Sequence, residues 1–332
     1  MESSNNTQSP AVRLKKSESS FEAAIREGLG NYPKRLPSRF IYDKEGDALF
    51  RRIMDMPEYY LTNCETEIFE QQKVQIIDAL EPLGEGFDLV ELGAGDGSKT
   101  RILLDEIIRR DMDFRYLPID ISQNALSGLS KKLVAEFTEL EILPQQGTYF
   151  DILEEMQQWK ERPKVILFLG SNIGNLLHPQ AIDFLQKLRA VMGPSDLLLL
   201  GCDQKKEPQI VLDAYNDPAG ITEAFNKNLL ERINREYGAD FDTERFIHWE
   251  TYDPESGTAR SYLVARESFE VTIPDLDMQV NFEAWESIHT EISQKYDNRT
   301  LEWIAGETGL EIAASFTDSR GYYKDYLLQV PK

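Results

Sequence analysis

The chain has 332 residues, 41% of them hydrophobic, which predicts a globular protein with a substantial core, and no apolar run is long enough to span a bilayer. Its formal net charge of −22 argues against nucleic acids and anionic membranes as partners, because both attract basic surfaces. The two cysteines, Cys64 and Cys202, lie far apart, so the sequence predicts neither a disulfide framework nor a metal site and fits a reducing cytoplasm.

The chain begins with a polar leader followed by helical patterns. Residues 1–20 are rich in Ser, Asn, Gln and Lys, and we expect them to be disordered. Apolar residues then recur at helical spacing over 21–29, 46–57 and 62–80. Glu65 is expected near the start of the third helix, where the helix dipole favours negative charge.

Three aromatic residues stand beside the first helices: Tyr42, Phe50 and Tyr59. Aromatic rings near helix ends commonly pack half-buried against a core. They can equally line a pocket, because a tyrosine offers both an apolar face and a hydroxyl group. The residues alone leave both interpretations open.

A strand, a glycine turn and a helix follow over 87–104. Phe87–Leu92 is a short, mostly apolar run that suits a buried parallel strand. Gly93, Gly95 and Gly97 then let the backbone turn tightly and approach a ligand closely. A dinucleotide fingerprint would need glycine in place of Ser98, so a nicotinamide oxidoreductase is disfavoured. The run ELGAGDG instead resembles motif I of class I S-adenosylmethionine (SAM)-dependent methyltransferases.

Further strands alternate with helices, which indicates a parallel sheet of the Rossmann-like type. Strands are predicted at 114–119, from 141 onward, at 164–169 and at 196–201, with helices at 126–140 and 184–191. Asp120, at the end of the second strand, either binds the ribose hydroxyls of a nucleotide or caps the next helix. The loop FLGSNIGN follows the fourth strand and is expected to face the same crevice as the glycine turn.

The pattern changes after residue 204. One or two helices are predicted over 205–237, followed by antiparallel strands at 246–252 and 260–266 and a strand-like stretch at 271–282. We expect a helical or loop stretch at 285–293, a helix at 301–308, and closing strands at 310–317 and 322–330. The middle of this half predicts a second lobe with its own sheet.

Several longer motifs occur together in one known family. They are IYDKEGDALFRRIMDMPEYY, ELGAGDGSKTR, LPIDIS, FLGSNIGN, AYNDPAGITEAFN and HTEISQKY. From about Arg39 to the C-terminus, the chain resembles the histidine Nα-methyltransferases of ergothioneine biosynthesis. The resemblance implies an α/β fold, with a seven-stranded Rossmann-like class I methyltransferase core over 64–203 plus 296–332. A discontinuous α+β substrate-binding lobe would comprise 21–63 plus 204–295.

The resemblance also implies site residues. The SAM-binding positions would be Gly93, Gly95, Lys99, Asp120, Tyr149 and Phe150. The substrate-binding positions would be Phe50, Tyr59, Gly170, Asn175, Tyr215, Ser261, Glu291 and Ser293, with Tyr42, Tyr59 and Asn175 as the catalytic set. Glu291 and Ser293 would hold the imidazole, Asn175, Tyr59 and Tyr215 the amino-acid end, and Ser261 takes the place of a methionine that packs on the ring. No metal is implied.

These expectations describe an enzyme that trimethylates the α-amine of free L-histidine to hercynine with SAM as methyl donor. One alternative keeps the chemistry and changes the amino acid, for example to a tryptophan derivative. Another is a module that binds the amino acid and SAM without turnover. The expected partner is a small molecule, and the expected protein is a cytoplasmic monomer.

Overall fold

The computed structural model describes residues 20–80, 86–148, 152, 155, 158, 159 and 162–332. The α-helices among these residues are α1 Ser20–Gly30, α2 Lys44–Met54, α3 Tyr60–Asp78, α4 Thr100–Arg109, α5 Gln123–Glu136, α6 His178–Val191, α7 Pro208–Tyr215, α8 Ile221–Tyr237 and α9 Asn298–Thr308. The strands are β1 Lys34–Arg35, β2 Phe87–Leu92, β3 Phe114–Asp120, β4 Gln145–Gln146, β5 Lys164–Phe168, β6 Leu197–Asp203, β7 Phe246–Asp253, β8 Thr258–Ala265, β9 Phe269–Ile273, β10 Met278–Phe282, β11 Ser287–Gln294, β12 Glu311–Thr317 and β13 Tyr323–Gln329.

A seven-stranded sheet forms the centre of the α/β part, with strand order β12-β13-β6-β5-β2-β3-β4. Its strands from β6 to β4 run parallel, whereas β13 is antiparallel to both β6 and β12. The predicted Rossmann-like α/β fold is therefore confirmed. The order places the carboxyl ends of β2, β3, β5 and β6 at one edge, where such folds bind their ligands.

Alternating side chains on the inner strands supply two apolar layers. Val90 and Ile166 pack in one cluster with α6 and α9, whereas Leu89 and Leu167 pack in the other with α3 and α4. Strands covered on both faces read as nearly continuous apolar runs, and every residue of β2 and β5 is buried. This is why the sequence pattern identified both strands correctly.

A second sheet of four strands, in the order β1-β11-β8-β7, combines a short N-terminal strand with the strands of the later insertion. Its inner face packs against α7 and α8. β1 runs parallel to β11, with Lys34 opposite Ile288. The N-terminal segment and the insertion are thus joined by backbone pairing although about 250 residues separate them in the chain.

Three sequence-based expectations are wrong. The stretch 285–293, expected as helix or loop, is mostly the strand β11, because both of its edges find partners in β1 and β8. The continuous strand pattern at 271–282 is broken by a 3-10 turn at Pro274–Leu276, so β9 and β10 form a separate hairpin. The helix expected over 126–140 ends at Glu136, because Phe137 leaves the helical conformation with ψ 88°.

The third strand of the central sheet is also shorter than expected. Only β4 and an isolated bridge between Tyr116 and Ile142 pair with β3 in this region. The predicted leader lies almost wholly outside the described residues. Among the residues that the structure describes, no helix is both long and apolar enough to cross a bilayer.

Candidate active site

The glycine turn lies at the carboxyl edge of the central sheet. The backbone N–H of Gly93 donates to the carbonyl of Ile119 (2.8 Å), which ties the turn to β3. Gly93, Gly95 and Gly97 have φ values of 76°, 55° and 66°, a region that disfavours side chains. A Cβ at Gly95 would meet no atom within 4 Å, so the backbone there faces open space.

Asp120 supports the turn directly. Its Oδ2 accepts the backbone N–H of Gly95 (3.1 Å), and its Oδ1 accepts the backbone N–H of Ser122 (2.8 Å). The N-cap of α5 is Ser122, whose hydroxyl accepts the N–H of Ala125. The helix-capping role that the sequence left open for Asp120 therefore belongs to Ser122. Asp120 lies beside the glycine turn instead.

Lys99 lies next to Glu65, a carboxylate that the sequence analysis expected near the start of a helix. Its ammonium group forms an ion pair with Glu65, whose side chain is fully buried. Glu65 also accepts the N–H of Gly170 (2.8 Å) and the hydroxyl of Tyr323 (2.8 Å). The expectation that Glu65 serves the start of α3 is wrong, because α3 begins at Tyr60 and has no acidic residue in its first turn. Glu65 instead brings the glycine-turn helix and the loop after β5 together.

Glu91, the acidic residue just before the turn, points inward. It accepts the hydroxyl of Thr100 (2.5 Å) and the hydroxyl of Tyr116. Burial raises the pKa of Glu91 to about 7, against the opposing effect of these hydrogen bonds. Because Thr100 begins α4, Glu91 holds the strand, the turn and the helix in one arrangement.

The expected substrate-binding aromatics form one cluster. Tyr42 packs edge-on against Phe50 with ring centres 5.4 Å apart, and Phe50 packs against Tyr59 at 6.3 Å. Tyr59 in turn meets Tyr215 edge-on at 6.2 Å. Phe225 of α8, which the sequence analysis did not select, contacts both Tyr42 and Phe50. The structure thus brings four expected residues from distant segments together.

A buried polar network lies beneath this cluster. The hydroxyl groups of Tyr215 and Ser293 are 2.7 Å apart, and the ammonium group of Lys295 donates to both, at 2.8 and 2.7 Å. Lys295 also pairs with Asp203 (2.7 Å), which pairs with Lys206 on its other side. Burial opposes ionisation of Asp203, but the two lysines hold its pKa below the usual value.

The three charged residues of this network, Asp203, Lys206 and Lys295, were not selected from the sequence. Lys295 stands in the HTEISQKY motif, which offered a signal, whereas Asp203 and Lys206 offered none. Two lysine side chains therefore flank one carboxylate, and burial lowers the pKa of Lys206 against the opposing effect of Asp203.

An irregularity in β11 places Glu291 on the same face of the four-stranded sheet as Ser261. The register of β11 against β8 shifts between His289 and Glu291, so Glu291 stands opposite Ser261 and shares its side of the sheet. Burial raises the pKa of Glu291 to about 7, while Lys295 and a hydrogen bond from Asn226 lower it. His289 faces the other side of the sheet, together with Tyr262. Without the irregularity, the alternation of side chains along the strand would put Glu291 on that other side too.

The remaining expected residues are placed as follows. Gly170 and the 3-10 turn Asn172–Asn175 follow β5, and Gly174 packs so closely on β11 that a Cβ would lie 3.0 Å from the carbonyl oxygen of Gln294. Asn175, at the end of that turn, is exposed. The loop therefore adjoins the strand that carries Glu291 and Ser293. Tyr149 and Phe150 lie outside the described residues.

The sequence of the chain is similar to those of known proteins. A sequence model of a family described as "Histidine-specific methyltransferase, SAM-dependent" matches residues 21–330. The histidine N-alpha-methyltransferase of Mycolicibacterium smegmatis is 36% identical over 298 residues, which cover 90% of this chain and 91% of that protein. Its namesake from Mycobacterium tuberculosis is 35% identical over 297 residues, with the same coverage. Ergothioneine biosynthesis protein 1 of Schizosaccharomyces pombe is 27% identical over 300 residues, which cover 89% of this chain and 39% of that protein.

Proposed function

The chain belongs to the family of histidine-specific, SAM-dependent methyltransferases, and on that premise we propose that it trimethylates the α-amine of free L-histidine to hercynine. Relatives that share about a third of its residues over nine-tenths of its length carry the name histidine N-alpha-methyltransferase. The observation that best supports the proposal is Glu291, a half-buried carboxylate on the inner face of the second sheet. It shares that face with Ser293, which hydrogen-bonds Tyr215.

The residues around the glycine turn fit SAM, which supplies an electrophilic methyl group when bound. The open backbone at Gly95 leaves room for a ligand, and Gly93 provides the tight turn beside it. Asp120 would bind the ribose hydroxyls through the carboxylate that already orders the turn. Lys99 would pair with the cofactor carboxylate, because its ammonium group is partly exposed and Glu65 directs it toward Gly170.

The amino-acid end of histidine would be held by Tyr59, Tyr215 and Asn175. Burial raises the pKa values of Tyr59 and Tyr215 well above the usual range, so both hydroxyl groups stay protonated and can donate hydrogen bonds. Tyr215 accepts a hydrogen bond from Lys295, and when Ser293 donates the bond between their hydroxyl groups, the Tyr215 proton is available for a substrate carboxylate. Tyr42 and Gly170 would complete the region around the amine.

No strong base is required for the transfer. The α-amino group of a peptide titrates at a pKa of roughly 8 and that of a free amino acid somewhat higher, so a small reactive neutral fraction exists near neutral pH. In each transfer the nitrogen lone pair would form the new N–C bond to the methyl group, the S–C electrons would stay with sulfur, and excess amine protons would pass to water. Positioning by Tyr59, Tyr215 and Asn175 would supply the rate. The cluster around Phe50 suits the quaternary ammonium product through cation–π attraction.

The ring end provides the specificity. Glu291 would accept an imidazole N–H, and a charge-assisted hydrogen bond in a buried site discriminates against rings that lack the donor. Ser293 lies two residues further along the same strand and would support this contact at the same nitrogen, held in place by Tyr215 and Lys295. Phe50 would provide the apolar wall of the ring site.

Product mass after incubation with SAM and single amino acids tests the proposal. Three added methyl groups on histidine alone are expected. Addition only to tryptophan or a derivative would transfer the same chemistry to another substrate. Binding of SAM and histidine with no mass gain would leave a non-catalytic binding module and refute the proposed activity.

Glu291→Ala should raise the KM for histidine about tenfold to a hundredfold, because a hydrogen bond to a charged group contributes about 1.5–3 kcal/mol. SAM affinity, measured by calorimetry, should change little, because Glu291 lies on the other sheet. Glu291→Gln keeps one acceptor oxygen, so its histidine KM should lie between those of the wild type and Glu291→Ala. An unchanged histidine KM in Glu291→Ala would show that the ring is bound elsewhere.

The division of labour within the chain is part of the same proposal. Residues 64–203 plus 296–332 would form the SAM-binding core, and 21–63 plus 204–295 the lobe that binds the amino acid. The enzyme would act as a cytoplasmic monomer, and the two free, buried cysteines are compatible with a reducing compartment.

A further inference from the structure

A second carboxyl group lies close to Glu291 on the inner face of the four-stranded sheet. Glu250 of β7 stands opposite Ser261 of β8, and Ser261 stands opposite Glu291 of β11. Residues directly opposite one another in paired strands point to the same side of a sheet. The three side chains therefore form one row across the strands.

Ser261 orients Glu250. Its hydroxyl donates to Oε2 of Glu250 at 2.7 Å, and both residues are buried, with 1% and 8% of their surface exposed. The other carboxyl oxygen, Oε1, is buried and has no hydrogen-bond partner among the described residues. A buried carboxyl oxygen without a partner is costly, which makes it a candidate for contact with a ligand.

The charge of Glu250 also acts on the proposed substrate-binding residues. Its charge interacts with those of Glu291 and Lys295, and it also acts on the hydroxyl of Tyr215. These three groups belong to the ring end and the amino-acid end of the proposed pocket. Glu250 thus approaches the proposed ring site from the side opposite β11.

We propose that Glu250, oriented by Ser261, is a second specificity-determining residue that hydrogen-bonds the imidazole nitrogen not bound by Glu291. This inference rests on the proposed function, because it takes an imidazole amino acid as the occupant of the pocket. It also assigns a role to the position where the family resemblance implies an apolar packing residue. In this chain the polar Ser261 and Glu250 replace apolar contact with directed hydrogen bonding.

The chemistry of imidazole fits two different carboxyl groups. The neutral ring carries one N–H donor and one nitrogen acceptor. An ionised Glu291 matches the donor, whereas a protonated Glu250 matches the acceptor. Burial raises the pKa of Glu250 to about 8, and the negative charge of Glu291 adds to the effect. The raised pKa favours the protonated form of Glu250, which would donate a hydrogen bond to the ring nitrogen without transferring the proton.

Calorimetric titration in the presence of S-adenosylhomocysteine tests the inference without turnover. The ligands are histidine and β-(2-thienyl)alanine, whose five-membered ring lacks nitrogen. The proteins are the wild type, Glu250→Gln, which keeps a donor and an acceptor, and Glu250→Leu, which keeps only the volume. Thermal unfolding of each protein reports whether the fold survives.

Glu250→Leu should weaken histidine binding at least about tenfold, the equivalent of one hydrogen bond of about 1.4 kcal/mol. Binding of thienylalanine should stay within about threefold of the wild-type value, because its ring makes no such bond. Glu250→Gln should bind histidine within about threefold of the wild type. Equal weakening of both ligands, or no weakening of histidine in Glu250→Leu, would overturn the inference.

Turnover measured on the same proteins separates this inference from the proposed function. If the wild type binds histidine in a Glu250-dependent manner but never methylates it, the proposed activity fails and the inference stands. If the wild type methylates histidine and Glu250→Leu binds histidine as tightly as the wild type does, the inference alone fails. A wild type that does not bind histidine overturns both.

Discussion

Lys295 links the buried charge network to the proposed substrate site, so its replacement makes a sharp test. Its ammonium group is fully buried and contacts the carboxylate of Asp203, the hydroxyl of Tyr215 and the hydroxyl of Ser293 at 2.7–2.8 Å. Lys295→Met keeps most of the side-chain length and removes the charge and all three hydrogen bonds.

The expected loss of stability follows from what remains. Breaking a buried ion pair costs about 3–5 kcal/mol when the partner is left uncompensated. Asp203 keeps Lys206 and the hydroxyl of Tyr60, which donates at 2.8 Å. We therefore expect Lys295→Met to lower the free energy of unfolding by about 3 kcal/mol, near the lower limit of that range. Tyr215 and Ser293 lose their common donor, which should raise the histidine KM about tenfold.

Lys206→Met is the matched control. Lys206 contacts the same carboxylate, but its other partners are Tyr60 and a backbone carbonyl, not Tyr215 or Ser293. Urea unfolding should show comparable destabilisation in both variants, and steady-state kinetics should show a raised histidine KM only in Lys295→Met. An equal change of KM in the two variants would refute the link from Lys295 to the substrate and reduce the network to a structural element.

Two further predictions concern the glycine turn and its support. Gly97→Ala should lower the free energy of unfolding by at least about 1–2 kcal/mol, because φ is +66° and the new Cβ would lie 2.2 Å from a Leu129 methyl group. The control Gly128→Ala in α5 meets no atom within 4 Å and should be neutral or stabilising. Equal stabilities of the two variants in urea unfolding would contradict this account. Burial raises the pKa of Glu91 from 4.5 to about 7, so the folded state binds the extra proton and its contribution to stability, full below pH 4.5, is lost as pH rises toward 7. Glu91→Gln should flatten the decline of stability across this window, and a pH profile of unfolding identical to that of the wild type would show that Glu91 does not titrate there.

Most of the central sheet could be predicted from the sequence because its signals are local. The runs at β2 and β5 are mostly apolar and buried throughout, since both faces of each strand are covered. The glycine turn was recognised because three positive φ values at alternate positions require glycine. Expectations failed where pairing partners are distant, as for β11, which a local pattern could not distinguish from helix or loop.

The candidate site divides in the same way. The family motifs indicated Tyr59, Tyr215, Glu291 and Ser293, whose relative positions the structure then defines. Glu65 gave no sequence signal, because its partners Lys99, Gly170 and Tyr323 lie 34, 105 and 258 residues away. A carboxylate that reads as an ordinary helix residue becomes a link between segments only when the sheet brings them together.

The order of apolar and glycine residues along the chain is sufficient to specify a Rossmann-like core with a ligand-binding turn, because burial and backbone conformation act on neighbouring residues. Which side of the four-stranded sheet each carboxylate occupies was decided by tertiary structure. A one-residue irregularity in β11 turns Glu291 inward, and strand register sets Glu250 beside Ser261. Side chains alternate along a strand, so a single-residue shift reverses the face that each one occupies, and only the pairing of distant strands determines that register.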